Sequence, residues 1–160
     1  MPDEPTRTEP AVRVRPARWP DDESAIRAIR EAVFVVEQGV PAQLEWDGRD
    51  ARCAQVLALD SQGNPLGTAR MLPDGQIGRM AVLAPWRGQG VGRALLGELL
   101  RLAATQGLEK VWLHAQARAA DFYRRQGFRV MGDPFEEASI VHVAMILHIS
   151  GGDTRKTLAP

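Results

Sequence analysis

The stretch from Ile77 to Leu102 constrains the fold more than any other part of the chain. It joins an apolar run to a helical pattern through a glycine-rich turn. It reads IGRMAVLAPWRGQGVGRALLGELLRL, with apolar residues up to Leu83, a proline at position 85 and glycines at 88, 90 and 92. A helix that begins at such a turn leaves its first amides without intrahelical partners, and glycine lets a ligand approach them closely. The pattern predicts a strand, a phosphate-binding turn and a helix.

Two common phosphate-binding motifs do not fit this turn. A Walker loop requires Gly-x-x-x-x-Gly-Lys-Ser/Thr, and no Lys-Ser/Thr pair follows these glycines. The dinucleotide fingerprint Gly-x-Gly-x-x-Gly fails because position 93 is arginine. The acidic residue that this fingerprint expects about 20 residues later also fails, since Glu109 precedes the next apolar run instead of following it. A glycine-rich turn that binds no ligand remains an alternative at this point.

Length and composition set the outer bounds. The 160 residues suit one domain, and the 20 basic and 20 acidic residues leave no global field to attract nucleic acid or an anionic membrane. Cys53 is the single cysteine, which excludes an internal disulfide and suits a reducing compartment. No apolar run approaches the roughly 18 residues of a membrane span, and the first ten residues lack a signal-peptide core. We expect a cytoplasmic protein without nucleic-acid or membrane partners.

Alternating strand and helix patterns predict the fold class. We expect residues 1–10 to be a disordered extension, 11–149 to be the folded domain and 150–160 to be a flexible tail. Turns at 61–64 and 73–75 join three strands into an antiparallel meander, and a right-handed crossover makes the strands at 77 and 110 parallel. The result is an α/β (α+β) fold with a mixed, mostly antiparallel sheet flanked by helices. Predicted strands are 12–15, 52–59, 66–72, 77–83, 110–116, 128–131 and 140–149, and predicted helices are 21–39, 91–107 and 119–126.

Two motifs in this order resemble the GNAT acetyltransferases. The segment RGQGVG at 87–92 is similar to the family's pyrophosphate loop, Arg/Gln-x-x-Gly-x-Gly/Ala. The segment AADFYRRQGF at 119–128 is similar to its Ala-x-x-(Phe/Leu)-Tyr-x-x-x-Gly-Phe motif. The resemblance covers roughly residues 12–149. The segments EQGVP at 37–41, EWDG at 45–48 and LHAQ at 113–116 further resemble the ElaA/YjcF-like branch.

The resemblance implies that acetyl-CoA is the acyl donor and lies where the parallel strands 77–83 and 111–115 splay apart. The strand backbone would pair with the pantetheine amides as an added strand does, and the turn amides would hold the pyrophosphate. Arg93 fits a solvated helix residue equally well. The implied donor-binding residues are Met80, Ala81, Val82, Arg87, Gly88, Gln89, Gly90, Val91, Gly92, Arg93 and Tyr123.

The implied chemistry is direct attack of an amine on the thioester within a ternary complex. A protonated amine, such as lysine with a pKa near 10.4, must first lose a proton. The amide of Val82 would bind the tetrahedral oxyanion, and Tyr123 matches the family tyrosine that protonates the leaving thiolate. A chain of water molecules could remove the proton in place of a single base, and His142 could instead be a packed residue of the cleft. The candidate bases are Glu37, Glu45, Asp47 and His142.

Three function classes follow. The first is an acyltransferase that acts on an amine of a small molecule or peptide. The second is a catalytically silent module that binds acyl-CoA. The third is a different enzyme that binds a phosphate-bearing ligand at a similar glycine-rich loop. The acids between Glu37 and Asp50 favour a cationic acceptor. Histidines and cysteine do not cluster at metal-ligand spacing, so no metal is expected. Members of the family often dimerise, and a homodimer stays open here.

Overall fold

The computed structural model describes residues 11–149, and it contains the predicted alternation of strands and helices. Helix α1 (Glu23–Arg30) continues into a π-helical segment, Glu31–Glu37. Within residues 11–149 no helix is long and apolar enough to cross a membrane. The predictions for 1–10 and 150–160 lie outside the described residues. The strands are β1 (Val12–Ala17), β2 (Ala54–Asp60), β3 (Pro65–Met71), β4 (Gln76–Val82), β5 (Lys110–Gln116), β6 (Arg129–Glu137) and β7 (Ile140–His148), and the α-helices are α1 (Glu23–Arg30), α2 (Ala42–Glu45), α3 (Val91–Thr105) and α4 (Ala120–Arg125).

The seven strands form one sheet in the order β1-β2-β3-β4-β5-β7-β6. The predicted meander is confirmed, since β2, β3 and β4 pair antiparallel, and so is the parallel pair β4–β5. In the described chain that parallel pair consists of Gln76 with Trp112 and Ile77 with Leu113. All seven residues of β5 pair with β7 on its other side. Strands β4 and β5 therefore part beyond these two residue pairs, which opens a gap in the middle of the sheet.

Helices cover both faces of the sheet. Side chains alternate along a strand, so Val56 packs on the face that carries α3 and α4, whereas Leu57 packs on the face that carries α1. Helix α3 contributes Leu95 and Leu99 to the first layer, and α1 contributes Ile26 to the second; all three are buried. The two layers fix the helices on either side of the gap between β4 and β5.

Strand β6 is longer than predicted, which corrects the expectation that it ends at Met131. The turn-forming residues Gly132, Asp133 and Pro134 lie inside the strand at an irregularity, where the pairing with β7 shifts between Met131 and Phe135. Gly132 has a φ of +75°, which accommodates the extra residues as a bulge does. The strand then continues to Glu137 and turns back into β7, opposite Ile140.

Candidate functional site

A cavity of about 1050 Å³ opens where β4 and β5 part. It extends from the turn before α3, past β4 and α4, to the hairpin turn between β6 and β7. Among the described residues, its wall includes every predicted site residue except Gln89 and Asp47. The Gln89 side chain instead donates to the carbonyl oxygen of Pro85 at 3.0 Å, within the turn itself. The sequence thus predicted residues that the fold brings to one cavity.

The turn at the N-terminus of α3 has the geometry of an anion site. Gly88 and Gly90 have φ values of +75° and +84°, a region that favours glycine. The helix's first backbone bond runs from the amide of Ala94 to the carbonyl of Gly90 at 3.0 Å. The amides of residues 91–93 therefore point beyond the helix end, where the helix dipole adds positive charge. A Cβ built on Gly90 meets no atom within 4 Å, so the space beside it is open.

Arg87 ties the turn to the π-helical segment. Its Nε donates to the carbonyl oxygen of Val82 at 2.9 Å, and its two terminal nitrogens donate to the Glu37 carboxylate at 2.7 and 3.0 Å. These hydrogen bonds from Arg87 lower the pKa of Glu37, so that the carboxylate is ionised. The sequence predicted that Arg87 contacts the pyrophosphate. In the structure its guanidinium is instead bonded to the Glu37 carboxylate and the Val82 carbonyl.

The backbone of β4 turns polar groups toward the gap. The amide of Leu83 donates to the carbonyl of Leu66 in β3 at 2.9 Å. Because amides alternate between the two edges of a strand, the amide and carbonyl of Val82 face the opposite edge, toward β5. The contact of Arg87 with the Val82 carbonyl on that side agrees with this direction. The amide of Val82 is therefore presented where β5 has diverged.

Tyr123 lies on α4 beside the same strand. Its hydroxyl is 3.7 Å from the sulfur of Met80, and its ring makes edge-to-face contacts with Phe122 and Phe128. Burial raises the pKa of the phenol to about 12. The hydroxyl is therefore protonated near neutral pH and acts as a hydrogen-bond donor.

Three arginines neutralise the acids on the other side of the cavity. Arg30 is fully buried, and its Nε donates to Glu45 at 2.7 Å. Arg79, at a bulge in β4 with a φ of +51°, donates to the same carboxylate at 3.0 Å and to the backbone of α2. The contacts of Arg79 link β4 to α2. We call the whole set of paired residues the buried ion cluster, and its three positive and three negative charges cancel. It comprises Arg30, Glu45, Asp47, Asp50, Arg70 and Arg79.

The buried ion cluster holds two of the predicted bases. Burial alone would raise the pKa of Asp47, but hydrogen bonds from Arg70 and from the Arg49 amide, together with the charges of Arg70 and Arg79, outweigh it and bring that pKa well below its usual range. Glu45 is 3% exposed and accepts from two arginines. The acids between positions 37 and 50 therefore carry little uncompensated charge toward the cavity.

His142 faces the cavity with one ring nitrogen. Its Nδ1 lies 2.7 Å from the carbonyl oxygen of Ile140, and because a carbonyl only accepts, Nδ1 carries the proton. In the neutral ring Nε2 is then an acceptor, and it points toward Glu137 at 3.8 Å. His114 lies on the other side of that carboxylate, with Nδ1 at 3.5 Å. Sequence reasoning missed Glu137, because its place beside the histidines depends on the extension of β6 to Glu137 and on the pairing of Phe135 with His142.

A family model decides the identity of the fold. Residues 21–149 match the model of the acetyltransferase (GNAT) domain. The chain belongs to the GNAT acetyltransferase family. The reaction of that family is acyl transfer from a coenzyme A thioester to an acceptor, and residues of the segments 87–92 and 119–128 of this GNAT domain line the cavity described above.

Relatives of this GNAT domain confirm the predicted branch. YjcF of Bacillus subtilis, named an uncharacterized N-acetyltransferase, is 35% identical over 122 residues, which are 74% of this chain and 86% of that protein. ElaA of Escherichia coli is 34% identical over 129 residues, or 76% and 84% of the two chains, and its crystal structure aligns with a TM-score of 0.75 over 84% of this chain and 98% of that one. An acyl-CoA N-acyltransferase from Pseudomonas aeruginosa is 31% identical, with the same TM-score and coverage. These structures also confirm the predicted fold class.

Proposed function

We propose that this GNAT protein transfers an acetyl group from acetyl-CoA to a primary amine of a small molecule or peptide. One observation carries the proposal: a single cavity connects the open amides of α3, the free edge of β4, the Tyr123 hydroxyl and the Nε2 of His142. Donor-binding groups and proton-handling groups thus share one space. This supports direct attack within a ternary complex.

The donor is bound mainly by backbone in this proposal. The amides of residues 91–93 and the glycine turn hold the pyrophosphate, and Arg93 adds charge at the helix start. The edge of β4 at Met80, Ala81 and Val82 pairs with the pantetheine amides, as an added strand would. Arg87 contributes by holding the turn against Val82 and Glu37 instead of contacting phosphate.

The acceptor first gives a proton to Nε2 of His142. We prefer His142 to Glu37 and Glu45 because both carboxylates are bound to arginines. The neutral nitrogen then forms a bond to the thioester carbon, and the amide of Val82 donates to the oxyanion. The carbon–sulfur bond breaks, and the acylated nitrogen loses its second proton to the thiolate. A phenol of pKa about 12 is a weaker acid than a thiol of about 8.5, so Tyr123 stabilises the thiolate through a hydrogen bond.

Isothermal titration calorimetry with acetyl-CoA tests the proposal, with ATP and NAD as controls. We expect acetyl-CoA to bind and the controls not to bind. Release of free thiol is then measured with a panel of primary amines, and at least one amine should raise it. Acetyl-CoA binding without any acceptor-dependent thiol release would favour a silent acyl-CoA-binding module. Binding of ATP or NAD in place of acetyl-CoA would contradict the proposal.

Replacing Tyr123 by Phe should separate binding from turnover. The variant retains the edge-to-face contacts and loses one hydroxyl, which contacts the Met80 sulfur. We expect the Kd for acetyl-CoA to stay within about threefold of wild type, while kcat falls by about 100-fold, the lower range for loss of a group that handles charge on a leaving atom. Calorimetry and thiol release measure the two effects. Unchanged kcat would remove Tyr123 from the mechanism.

A further inference from the structure

One carboxylate on the cavity wall has no arginine. Three carboxylates line the cavity among the described residues: Glu37 is bound to Arg87, Glu45 is bound to Arg30 and Arg79, and Glu137 has no arginine partner. The side chain of Glu137 is 53% exposed, so its charge is open to the cavity. The uncompensated negative charge of this wall therefore lies at the turn between β6 and β7.

Two histidines approach this carboxylate without bonding to it. His114 Nδ1 is 3.5 Å from one oxygen of Glu137, and His142 Nε2 is 3.8 Å from the other. Both separations exceed the usual 2.7–3.2 Å of a hydrogen bond to nitrogen. Nδ1 of His142 donates to a carbonyl, so in the neutral ring its Nε2 is an acceptor, as the Glu137 oxygens are. Nε2 of His142 and the Glu137 carboxylate thus present acceptors to the same small part of the cavity wall.

The surrounding residues hold these groups in place. The ring of Phe135 lies between the two imidazoles, with centroids 4.9 Å from His114 and 6.0 Å from His142. Glu137 precedes a two-residue turn in which Ala138 and Ser139 have φ values of +51° and +63°. This is the conformation of a tight hairpin turn, which most often uses glycine or asparagine. The carboxylate therefore leaves the sheet at a defined point, opposite Ile140.

We infer that Glu137, together with Nε2 of His142, binds the ammonium group of the acceptor amine. A primary ammonium carries three N–H donors and one positive charge, which match the converging acceptors and the single uncompensated carboxylate. Glu137 fixes the nitrogen beside the histidine that takes its proton. The inference rests on the proposed acetyl transfer to an amine and names the residue that selects the acceptor.

The test compares three variants with acetyl-CoA as donor. Glu137→Gln removes the charge and keeps the shape, and Glu137→Asp keeps the charge. Glu136→Gln is the matched control, since it changes the neighbouring residue, whose side chain points to the opposite face of β6. The acceptors are spermidine, tyramine, glucosamine and a lysine-containing tetrapeptide. The readouts are the KM for the amine, the kcat and the Kd for acetyl-CoA.

We expect Glu137→Gln to raise the KM for the amine by about tenfold or more, which is the effect of losing a charge-assisted hydrogen bond. The Kd for acetyl-CoA should not change, Glu137→Asp should recover part of the affinity, and Glu136→Gln should behave as wild type. An unchanged KM in Glu137→Gln, or an equal rise in the control, would overturn the assignment of Glu137. Acetyl-CoA binding with no acetylation of any of the four amines would overturn the acceptor class. Absence of acetyl-CoA binding would overturn the proposed function itself.

Discussion

Replacing Gly90 by Val should abolish measurable binding of acetyl-CoA. The valine side chain would enter the open space at the start of α3, where the amides of residues 91–93 are presented. A bulky group there keeps an anion from reaching these amides. Hydrogen bonds to charged groups contribute about 1.5–3 kcal/mol each, and loss of two of them weakens binding by roughly 100-fold or more. Isothermal titration calorimetry measures the loss.

Gly63→Val is the matched control for this prediction. Gly63 has the same φ of +84°, and a Cβ built there also meets no atom within 4 Å. It lies in the turn between β2 and β3, away from the cavity wall. The backbone strain of a β-branched residue at this φ is therefore common to both variants. We expect the control to bind acetyl-CoA within about threefold of wild type; equal losses in the two variants would assign the effect to strain and remove the turn from the donor site.

The second large effect should come from Arg30→Met, in the buried ion cluster. The substitution retains an unbranched side chain but leaves Glu45 and Asp50 without the guanidinium that donates to both. Removing one partner of a buried ion pair costs about 3–5 kcal/mol, because the remaining charge stays buried. Urea denaturation monitored by circular dichroism should show this loss in the free energy of unfolding. A domain stable by about 5–15 kcal/mol would lose a large part of its stability.

Arg101→Met is the matched control, because it removes an exposed arginine in place of a buried one. Arg101 lies on the outside of α3 with a side chain that is 58% exposed, and it pairs with Glu98 one helical turn away. Exposed ion pairs add little to stability. We expect the Arg101 variant to unfold at nearly the wild-type urea concentration. Similar midpoints for Arg30→Met and Arg101→Met would contradict a stabilising role for the cluster.

The local parts of the fold could be predicted from the sequence. The alternation of apolar and polar residues in strands and the spacing of apolar residues in helices involve near neighbours in the chain. The sequence therefore predicted the meander, the glycine turn and α3 in the right order. Tyr123 could be placed because its motif follows the turn by one helix and one strand. The end of β6 could not be predicted in the same way, since Gly132, Asp133 and Pro134 normally mark a turn and here form a bulge within a strand.

The charged groups of the site depend on contacts between distant residues. Arg30 bonds to residues 15 and 20 positions away, and Arg79 bonds to one 34 positions away. From the sequence alone, an arginine on a helix and acidic residues in a turn are typical of a solvated surface. The fold instead buries Arg30 together with Glu45 and Asp50. Glu137 became a candidate only when the length of β6 placed it between two histidines. Contacts between charged residues that are distant in sequence depend on the pairing of the strands, and no local sequence pattern predicts them.

Two residue pairs join β4 to β5, so the sheet consists of an N-terminal half, β1 to β4, and a C-terminal half, β5 to β7. The seam between them is the most weakly cross-linked line across the sheet, and the proposed reaction takes place there. A pantetheine arm paired with β4 would supply backbone hydrogen bonds that the sheet itself lacks at this line. The donor would then be both a reactant and a temporary strand, and each turnover would complete the sheet and open it again.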